Sequence, residues 1–257
     1  MFSISVIIPC YNSSLTIVES LNSIFYQKHI VNEIIIIDDG STDNTISIIE
    51  QYIKESTFEN FKLIKQKNSG PSVARNNGIK NSTSDWIAFL DSDDIWTPSR
   101  LEKQLKFLTS NPEVVLIGGG HEKFFFNKNI ISQEISLQKL CFKNFFETPT
   151  VLVRKDICST YYFDENMRYS EDYDLWLKIA SKHKTLYINS ILSRSVLKKR
   201  SFGELGLSKN IVSMEKGELK AITNQRKNRN ISLPFYLFAV SISILKFLRR
   251  FIITKLR

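Results

Sequence analysis

Three short apolar runs, each rich in β-branched residues and each followed at once by polar residues, most constrain the fold of this chain. They are ISVII (4–8), EIIIID (33–38) and DWIAFLD (85–91). Continuous runs of this kind are typical of parallel strands that are buried on both faces. Amphipathic segments at 14–27 and 43–54 lie between them, and FKLIKQ (61–66) reads as a further strand. Strands and helices that alternate in units of roughly thirty residues predict a doubly wound α/β sheet.

The polar residues that follow these strands are expected to meet at one edge of the sheet. PCYN (9–12) follows the first run, DDGSTD (38–43) the second and DSDD (91–94) the third. Ligands of such sheets bind beyond the carboxyl ends of the strands. Aspartates crowded at one edge are tolerable when a divalent cation lies among them, and such a cation commonly also holds a phosphate-bearing substrate. An isolated Asp-x-Asp is usually a solvated turn, so the surrounding pattern carries the argument.

The segment NSGPSVARNNG (68–78) predicts a tight turn followed by a short helix. Gly70 would form the turn, Pro71 would take the first helical position and Gly78 would be the C-cap. The N-terminus of this helix and Arg75 are suited to meet a diphosphate or to hold one of the aspartates. The alternative is a connecting helix whose arginine makes a structural ion pair.

The segment SEDYDLWLKIA (170–180) predicts a second amphipathic helix, with Leu175, Trp176 and Ile179 facing the core. Glu171 and Asp172 fall in its first turn, where the helix dipole alone favours acidic residues. The functional alternative is a general base that takes the proton of an attacking hydroxyl.

Five segments in this order resemble a family 2 glycosyltransferase with the GT-A fold, over residues 3 to about 190. They are SVIIPCYN, EIIIIDDGSTDNT, NSGPSVARNNG, WIAFLDSDD and FDENMRYSEDYDLWLKIA. The resemblance implies transfer of a sugar from a nucleotide-diphosphate donor, with a UDP-sugar favoured, and inversion at the anomeric carbon. It also implies Mg²⁺ or Mn²⁺ at the site and a glycan or lipid-linked acceptor in bacterial surface polysaccharide synthesis.

The resemblance also assigns roles, residue by residue. It assigns donor binding to Pro9, Tyr11, Asp38, Asp39 and Asp91, and we expect Arg75 and Ser92 to bind the donor beside them. Asp93 and Asp91 match the metal ligands, and Asp172 matches the catalytic base. No Gln-x-x-Arg-Trp is present, a pattern associated with processive synthases, so one sugar added per acceptor is expected.

Two other classes of function fit parts of the pattern. A metal-dependent nucleotidyltransferase would also use aspartates at a sheet edge, but the sequence has no Walker motif and no GxGxxG. A non-catalytic nucleotide-sugar sensor or membrane scaffold would keep the fold, but this chain retains every carboxylate that the chemistry requires.

The net charge of +9 is concentrated in the C-terminal quarter. Residues 1–193 hold 20 Lys/Arg and 23 Asp/Glu, whereas residues 194–257 hold 15 and 3. The uncharged run 233–245 is shorter than the roughly 20 residues that a spanning helix needs. The charge therefore predicts that 232–257 forms an interfacial helix on an anionic membrane surface. A core or dimer helix is the alternative, and a nucleic acid partner is not expected.

That helix is expected to divide into a basic side and an apolar side. The basic side would carry Lys246, Arg249, Arg250 and Arg257, and the apolar side Leu248, Phe251 and Ile252.

The expected organisation is a catalytic domain over 1–200 and a basic helical tail over 201–257. Within the catalytic domain, 1–110 would be the nucleotide-sugar-binding half and 111–200 the acceptor half. The three cysteines, Cys10, Cys141 and Cys158, show neither disulfide nor zinc spacing, which favours a reducing compartment. The N-terminus lacks secretory features, so we expect a cytoplasmic protein, peripheral on the inner face of the cell membrane.

Overall fold

The first four strands form the parallel part of a sheet, as predicted. The computed structural model describes residues 2–27, 31–122, 129–197 and 210–255. The strands are β1 (Ile4–Cys10), β2 (Glu33–Asp38), β3 (Phe61–Lys65) and β4 (Trp86–Phe89), in the order β3-β2-β1-β4. All three pairings are parallel, so the carboxyl ends of these strands lie at one edge.

The second half of the sheet is mixed, which the apolar runs did not predict. Its strands are β5 (Asp94–Trp96), β6 (Val114–His121), β7 (Ser132–Glu134), β8 (Leu152–Arg154) and β9 (Lys184–Ser195). The order continues β4-β8-β6-β9-β5, with β7 also on β9. β8 runs antiparallel to β4 and β6, whereas β6 and β9 are parallel. Because β5 begins at Asp94 and pairs with β9, the acidic segment connects the central strand β4 to the far side of the sheet.

Helices cover both faces of the sheet. They are α1 (Ile17–Phe25), α2 (Thr45–Glu55), α3 (Pro71–Asn81), α4 (Arg100–Ser110), α5 (Leu137–Phe142), α6 (Lys155–Tyr161), α7 (Glu171–Ala180), α8 (Ile211–Lys227) and α9 (Leu233–Lys255). Alternate side chains of β1 enter two apolar clusters, Ile7 on the face with α3 and α7 and Ile8 on the face with α1 and α4. Two buried layers around one sheet confirm the predicted α/β class.

Gly78 lies inside α3 and is not its C-cap, so that prediction is wrong. The helix continues to Asn81, with Ser82 as its C-cap. A Cβ at Gly78 would lie 2.5 Å from the Ile7 side chain and 2.9 Å from that of Ile37. The glycine therefore allows α3 to approach the sheet closely.

The C-terminal helices pack against the rest of the chain and extend its core. Ala221, Ile222 and Ala239 are buried in the cluster that contains α7. The side-chain amide of Asn224 on α8 donates to Asp174 on α7 at 2.9 Å. Among the described helices, none combines the length and the apolar content that crossing a membrane requires.

The predicted basic side of α9 is wrong for two of its cations, which point inward. The Arg250 guanidinium lies 2.6 Å from a carboxylate oxygen of Glu215 and 2.8 Å from one of Glu218, both on α8. Lys246 donates to the Phe142 carbonyl at 2.8 Å. Arg250 and Lys246 thus bond to acceptors on α8 and α5. The sequence of α9 alone could not predict these contacts. Arg249 is exposed, and Arg257 lies outside the described residues.

Candidate functional site

A cavity of about 930 Å³ lies at the sheet edge where the predicted residues were expected to meet. Its wall includes seven of the predicted site residues: Pro9, Tyr11, Asp39, Arg75, Asp91, Ser92 and Asp93. They come from the ends of β1, β2 and β4 and from α3. Tyr11 is half exposed, and the loop 165–168 closes part of the wall. The volume is within the usual range of small-molecule sites.

Asp39 is buried in the wall, where it holds the loop that precedes α3. Its Oδ1 accepts from the Ser69 N–H and the Gln66 side-chain amide, and its Oδ2 accepts from the Gly70 N–H, each at 2.8 Å. A carboxylate has about four acceptor positions, so about one is left for a ligand. Asp39 therefore fixes the shape of the cavity, a role that its position after β2 did not predict.

Asp38 is buried and does not line the cavity. Its Oδ2 accepts from the N–H groups of Gly40 at 3.2 Å and Ser41 at 3.1 Å. Gly40 has a positive φ of 77°, which glycine adopts without strain. The structure thus directs the carboxylate of Asp38, the last residue of β2, into the following turn and leaves Asp39 as the carboxylate of that strand end facing the cavity.

The Asp-x-Asp segment is anchored from both sides. The hydroxyls of Ser92 and Ser13 are 2.7 Å apart and share a hydrogen bond, which ties the segment to the loop after β1. The Val196 N–H donates to the Asp93 carbonyl at 2.9 Å, which ties it to the segment after β9. Both neighbours restrict how the two aspartates can turn.

Arg75 is the central cation of the site. Its Nη2 donates to Asp91 at 2.8 Å and its Nη1 donates to Glu171 at 2.9 Å, and the guanidinium lies over the Phe163 ring at 5.4 Å. Burial alone would lower the pKa of Arg75, but the charges of Asp91 and Glu171 outweigh it and raise that pKa. Its Nε–H is buried and finds no acceptor in the part of the chain that the structure describes. One cavity-lining arginine thus retains a free donor.

Glu171 and Asp172 begin α7, and both carboxyl groups are harder to ionise than usual. Burial raises the pKa of Glu171 to about 7, although Arg75 opposes the shift. Burial also raises the pKa of Asp172, again against the effect of Arg75. Asp172 accepts from the Thr148 hydroxyl at 3.1 Å and from the Tyr173 N–H at 2.7 Å. A raised pKa suits a general base at neutral pH because it favours proton transfer to the carboxylate.

Asp172 is not in the wall of the cavity, so the structure does not bring it together with the other predicted residues. Asp172 is connected to the cavity through its neighbour Glu171, because Arg75 pairs with both Glu171 and Asp91. The sequence offered Glu171 only as an acidic neighbour of Asp172, and Thr148 lies in a stretch without a recognisable motif. Their roles depend on contacts between distant segments.

The chemistry of the cavity edge fits a hard divalent cation. Asp91 and Asp93 line the cavity and offer only oxygen atoms. Burial together with the charges of these two aspartates raises the pKa of the adjacent Asp94 to about 9. Within residues 2–27, 31–122, 129–197 and 210–255, no three His, Cys, Asp or Glu side chains form a complete metal cage. Mg²⁺ is commonly bound by one or two carboxylates with substrate phosphates, so a small donor set fits that mode.

Known proteins resemble this chain in sequence. The pattern described as glycosyl transferase family 2 matches residues 5–169. An uncharacterized glycosyltransferase of Rickettsia felis is 36% identical over 204 residues, 74% of this chain and 32% of the relative. The Escherichia coli protein WfgD, named UDP-Glc:alpha-D-GlcNAc-diphosphoundecaprenol beta-1,3-glucosyltransferase, is 29% identical over 217 residues, 79% of this chain and 83% of the relative. The chain spans about a third of the length of the relatives from Rickettsia felis, Rickettsia conorii and Rickettsia bellii.

The fold is also found among solved structures. The mannosyltransferase PcManGT from Pyrobaculum calidifontis, in complex with GDP-Man and Mn²⁺, has a TM-score of 0.70 at 15% sequence identity. The likeness covers 94% of this chain and 73% of that chain. At this identity it shows the fold alone, and it confirms the predicted α/β fold of GT-A type with helices at the C-terminus.

Proposed function

The chain belongs to glycosyl transferase family 2, and we propose that it transfers a sugar from a nucleotide-diphosphate donor to an acceptor hydroxyl with inversion. The observation that carries this proposal is the link from Asp91 through Arg75 to Glu171, at 2.8 Å and 2.9 Å. This link joins a cavity lined by carboxylates to the first turn of the helix that carries Asp172. A donor site and a candidate base are thereby held in one rigid unit.

The donor proposed for the cavity is a UDP-sugar. The name of the E. coli relative, which specifies UDP-Glc, favours uridine. The nucleoside would bind against Pro9, Tyr11 and Asp39, and it would donate a hydrogen bond to the remaining acceptor position of Asp39. The Arg75 guanidinium would supply positive charge beside the diphosphate, and Asp91 and Ser92 would lie beside the ribose or the sugar. Asp38 is left out of this proposal because its carboxylate faces the turn.

The reaction exchanges one bond to the anomeric carbon for another. The acceptor oxygen attacks that carbon on the face opposite the diphosphate, the bond to the diphosphate breaks, and the hydroxyl proton passes to the Asp172 carboxylate. Thr148 and the Tyr173 N–H orient this carboxylate. Mg²⁺ or Mn²⁺ at Asp93 and Asp91 would neutralise charge on the departing diphosphate. The complex of PcManGT with Mn²⁺ supports this choice of ion.

The acceptor proposed is a glycan or a lipid-linked glycan, in the synthesis of a bacterial surface polysaccharide. The E. coli relative is named for a diphosphoundecaprenol acceptor. A lipid-linked acceptor would bring the enzyme to the inner face of the cell membrane, with residues 232–257 as its membrane contact. Residues 194–257 include 15 basic and 3 acidic residues, and this surplus of positive charge supports an anionic surface as partner.

Substitution of the proposed base and metal ligand tests the function. Asp172→Asn and Asp93→Ala should each abolish transfer from UDP-sugars in the presence of Mn²⁺, with an unchanged thermal unfolding midpoint. Asp156→Asn, at an exposed carboxylate paired with Arg154, is the matched control and should transfer sugar at the wild-type rate. Wild-type transfer by Asp172→Asn would rule out the assigned base. Turnover of nucleoside triphosphates in place of UDP-sugars would instead indicate a nucleotidyltransferase.

A further inference from the structure

The outward side of α9 is a continuous apolar surface, which we call the α9 apolar face. Its members recur at helical spacing and are between 43% and 61% exposed. They are Leu233, Leu237, Phe238, Ile244, Leu245, Leu248 and Ile252. The twenty residues from 233 to 252 extend over roughly 30 Å at the rise of an α-helix. Ser241 is the exposed polar residue within this stripe.

The opposite side of α9 is fixed to the protein, so the helix cannot simply turn its apolar side inward. Ala239 and Ser243 are buried, and the Ser243 hydroxyl donates to Glu215 at 2.9 Å. Arg250 is paired with Glu215 and Glu218. A rotation about the helix axis would break these ion pairs and leave the buried carboxylate of Glu215 without its cation. The apolar face is thus a stable feature of the surface, and a patch of this extent marks an interaction site.

The charges around the face favour a lipid surface over a second copy of the chain. No Asp or Glu occurs between 233 and 255. Arg249, an exposed cation of this helix, lies between Leu248 and Ile252 in sequence and beside the stripe. Two copies packed through this face would bring like charges together, whereas an anionic leaflet attracts them. A face of this kind also offers no polar pattern that would set the register of a partner helix.

We propose that α9 lies in the plane of an anionic lipid surface, with the α9 apolar face inserted among the acyl chains. The inference rests on the proposed function for its setting, since a lipid-linked acceptor would bring the enzyme to a membrane. It keeps the interfacial helix expected from the sequence but changes the role of two cations: the apolar side inserts, while Lys246 and Arg250 serve the protein's own packing. Insertion of apolar groups is screened by salt far less than adsorption through surface charges.

Vesicle sedimentation of the full chain tests the proposal. Vesicles of phosphatidylcholine with phosphatidylglycerol should bind the wild type, and binding should persist at about 1 M salt, where the Debye length is about 3 Å. Leu245→Glu/Leu248→Glu should lower the partition coefficient at least about tenfold, because two inserted side chains become charged. Ile131→Glu, at an aliphatic residue 72% exposed outside α9, is the matched control and should bind like the wild type.

Sedimentation and two further readouts separate the possible failures. Equal sedimentation of the double variant and the wild type, or no sedimentation of either, would overturn the proposal. A wild type that is dimeric by analytical ultracentrifugation without lipid, together with a monomeric double variant, would assign the face to a second copy. Metal-dependent hydrolysis of a UDP-sugar without vesicles should be equal in the two proteins. Its absence in both, with vesicle binding intact, would count against the proposed function and leave the lipid surface standing.

Discussion

Replacement of Arg75 by methionine should destabilise the protein strongly, because one buried guanidinium neutralises two carboxylates. Arg75 is 6% exposed and lies 2.8 Å from Asp91 and 2.9 Å from Glu171. Methionine has a similar length but no charge and no donor. The variant therefore leaves Glu171, itself buried, without its cation, and frees the side chain of Asp91.

The size of the effect follows from the burial of the pair. Removal of one partner of a buried ion pair costs about 3–5 kcal/mol. For a chain of this size that loss corresponds to a fall in the unfolding midpoint of about 6–20 °C. Glu171 can limit the loss by taking up a proton, because its pKa is already about 7 with Arg75 in place. Arg75→Met/Glu171→Gln should thus recover about 1–3 kcal/mol of the free energy of unfolding that Arg75→Met loses, because glutamine leaves no unpaired charge in the buried site.

Urea unfolding of the wild type, both single variants and the double variant gives the coupling energy between Arg75 and Glu171. We expect the double variant to be more stable than Arg75→Met alone. UDP-sugar transfer should be lost in both, since Asp91 has lost its partner. A free energy of unfolding for Arg75→Met within about 1 kcal/mol of the wild type, or no recovery in the double variant, would refute the reasoning.

Three further predictions follow from other contacts. Gly78→Val should lower the free energy of unfolding by about 1–3 kcal/mol, because its Cβ would lie 2.5 Å from Ile7; an unchanged urea midpoint would contradict this. Burial raises the pKa of Asp172, so the rate of sugar transfer should fall as pH drops through a value above the ordinary aspartate range. A pH profile of kcat/KM that falls only at an ordinary aspartate pKa would argue against Asp172 as the base. Glu33 is buried, yet hydrogen bonds from Lys62, Ser5 and Thr83 lower its pKa to about 2 from 4.5. Its contribution of about 3 kcal/mol should be fully present above pH 4.5 and lost as pH falls toward 2, so the deficit of Glu33→Gln should vanish in acid.

The sequence was sufficient to predict the part of the fold that depends on local pattern. The buried runs became β1, β2 and β4, and their parallel pairing brought Tyr11, Asp39 and Asp91 to one cavity. This worked because the direction of parallel strands determines which ends meet, regardless of side-chain detail. The mixed half escaped prediction because β5, β7 and β8 have three residues each and carry no periodic signal.

The contacts that define the site were beyond a reading of local pattern. Arg75 and Glu171 form an ion pair although they are 96 positions apart in the sequence, and Asp39 accepts a hydrogen bond from Ser69, 30 positions away. Both contacts depend on the packing of α3 against the sheet and α7. Gly78 was assigned to a helix end because glycine is common there, yet close packing on Ile7 decided its position. The orientation of α9 likewise depends on Glu215 and Glu218, which its own amphipathic pattern does not include.

Isothermal titration calorimetry of UDP-sugars in the presence of Mn²⁺ tests the central claim most directly. The account predicts binding of at least one UDP-sugar to the wild type and to Asp156→Asn. It predicts that binding is lost in Asp93→Ala and when the metal is chelated. No heat from UDP- or GDP-linked sugars with the wild type, or equal binding by Asp93→Ala, would contradict a cavity in which strand-end aspartates hold a metal and an activated sugar.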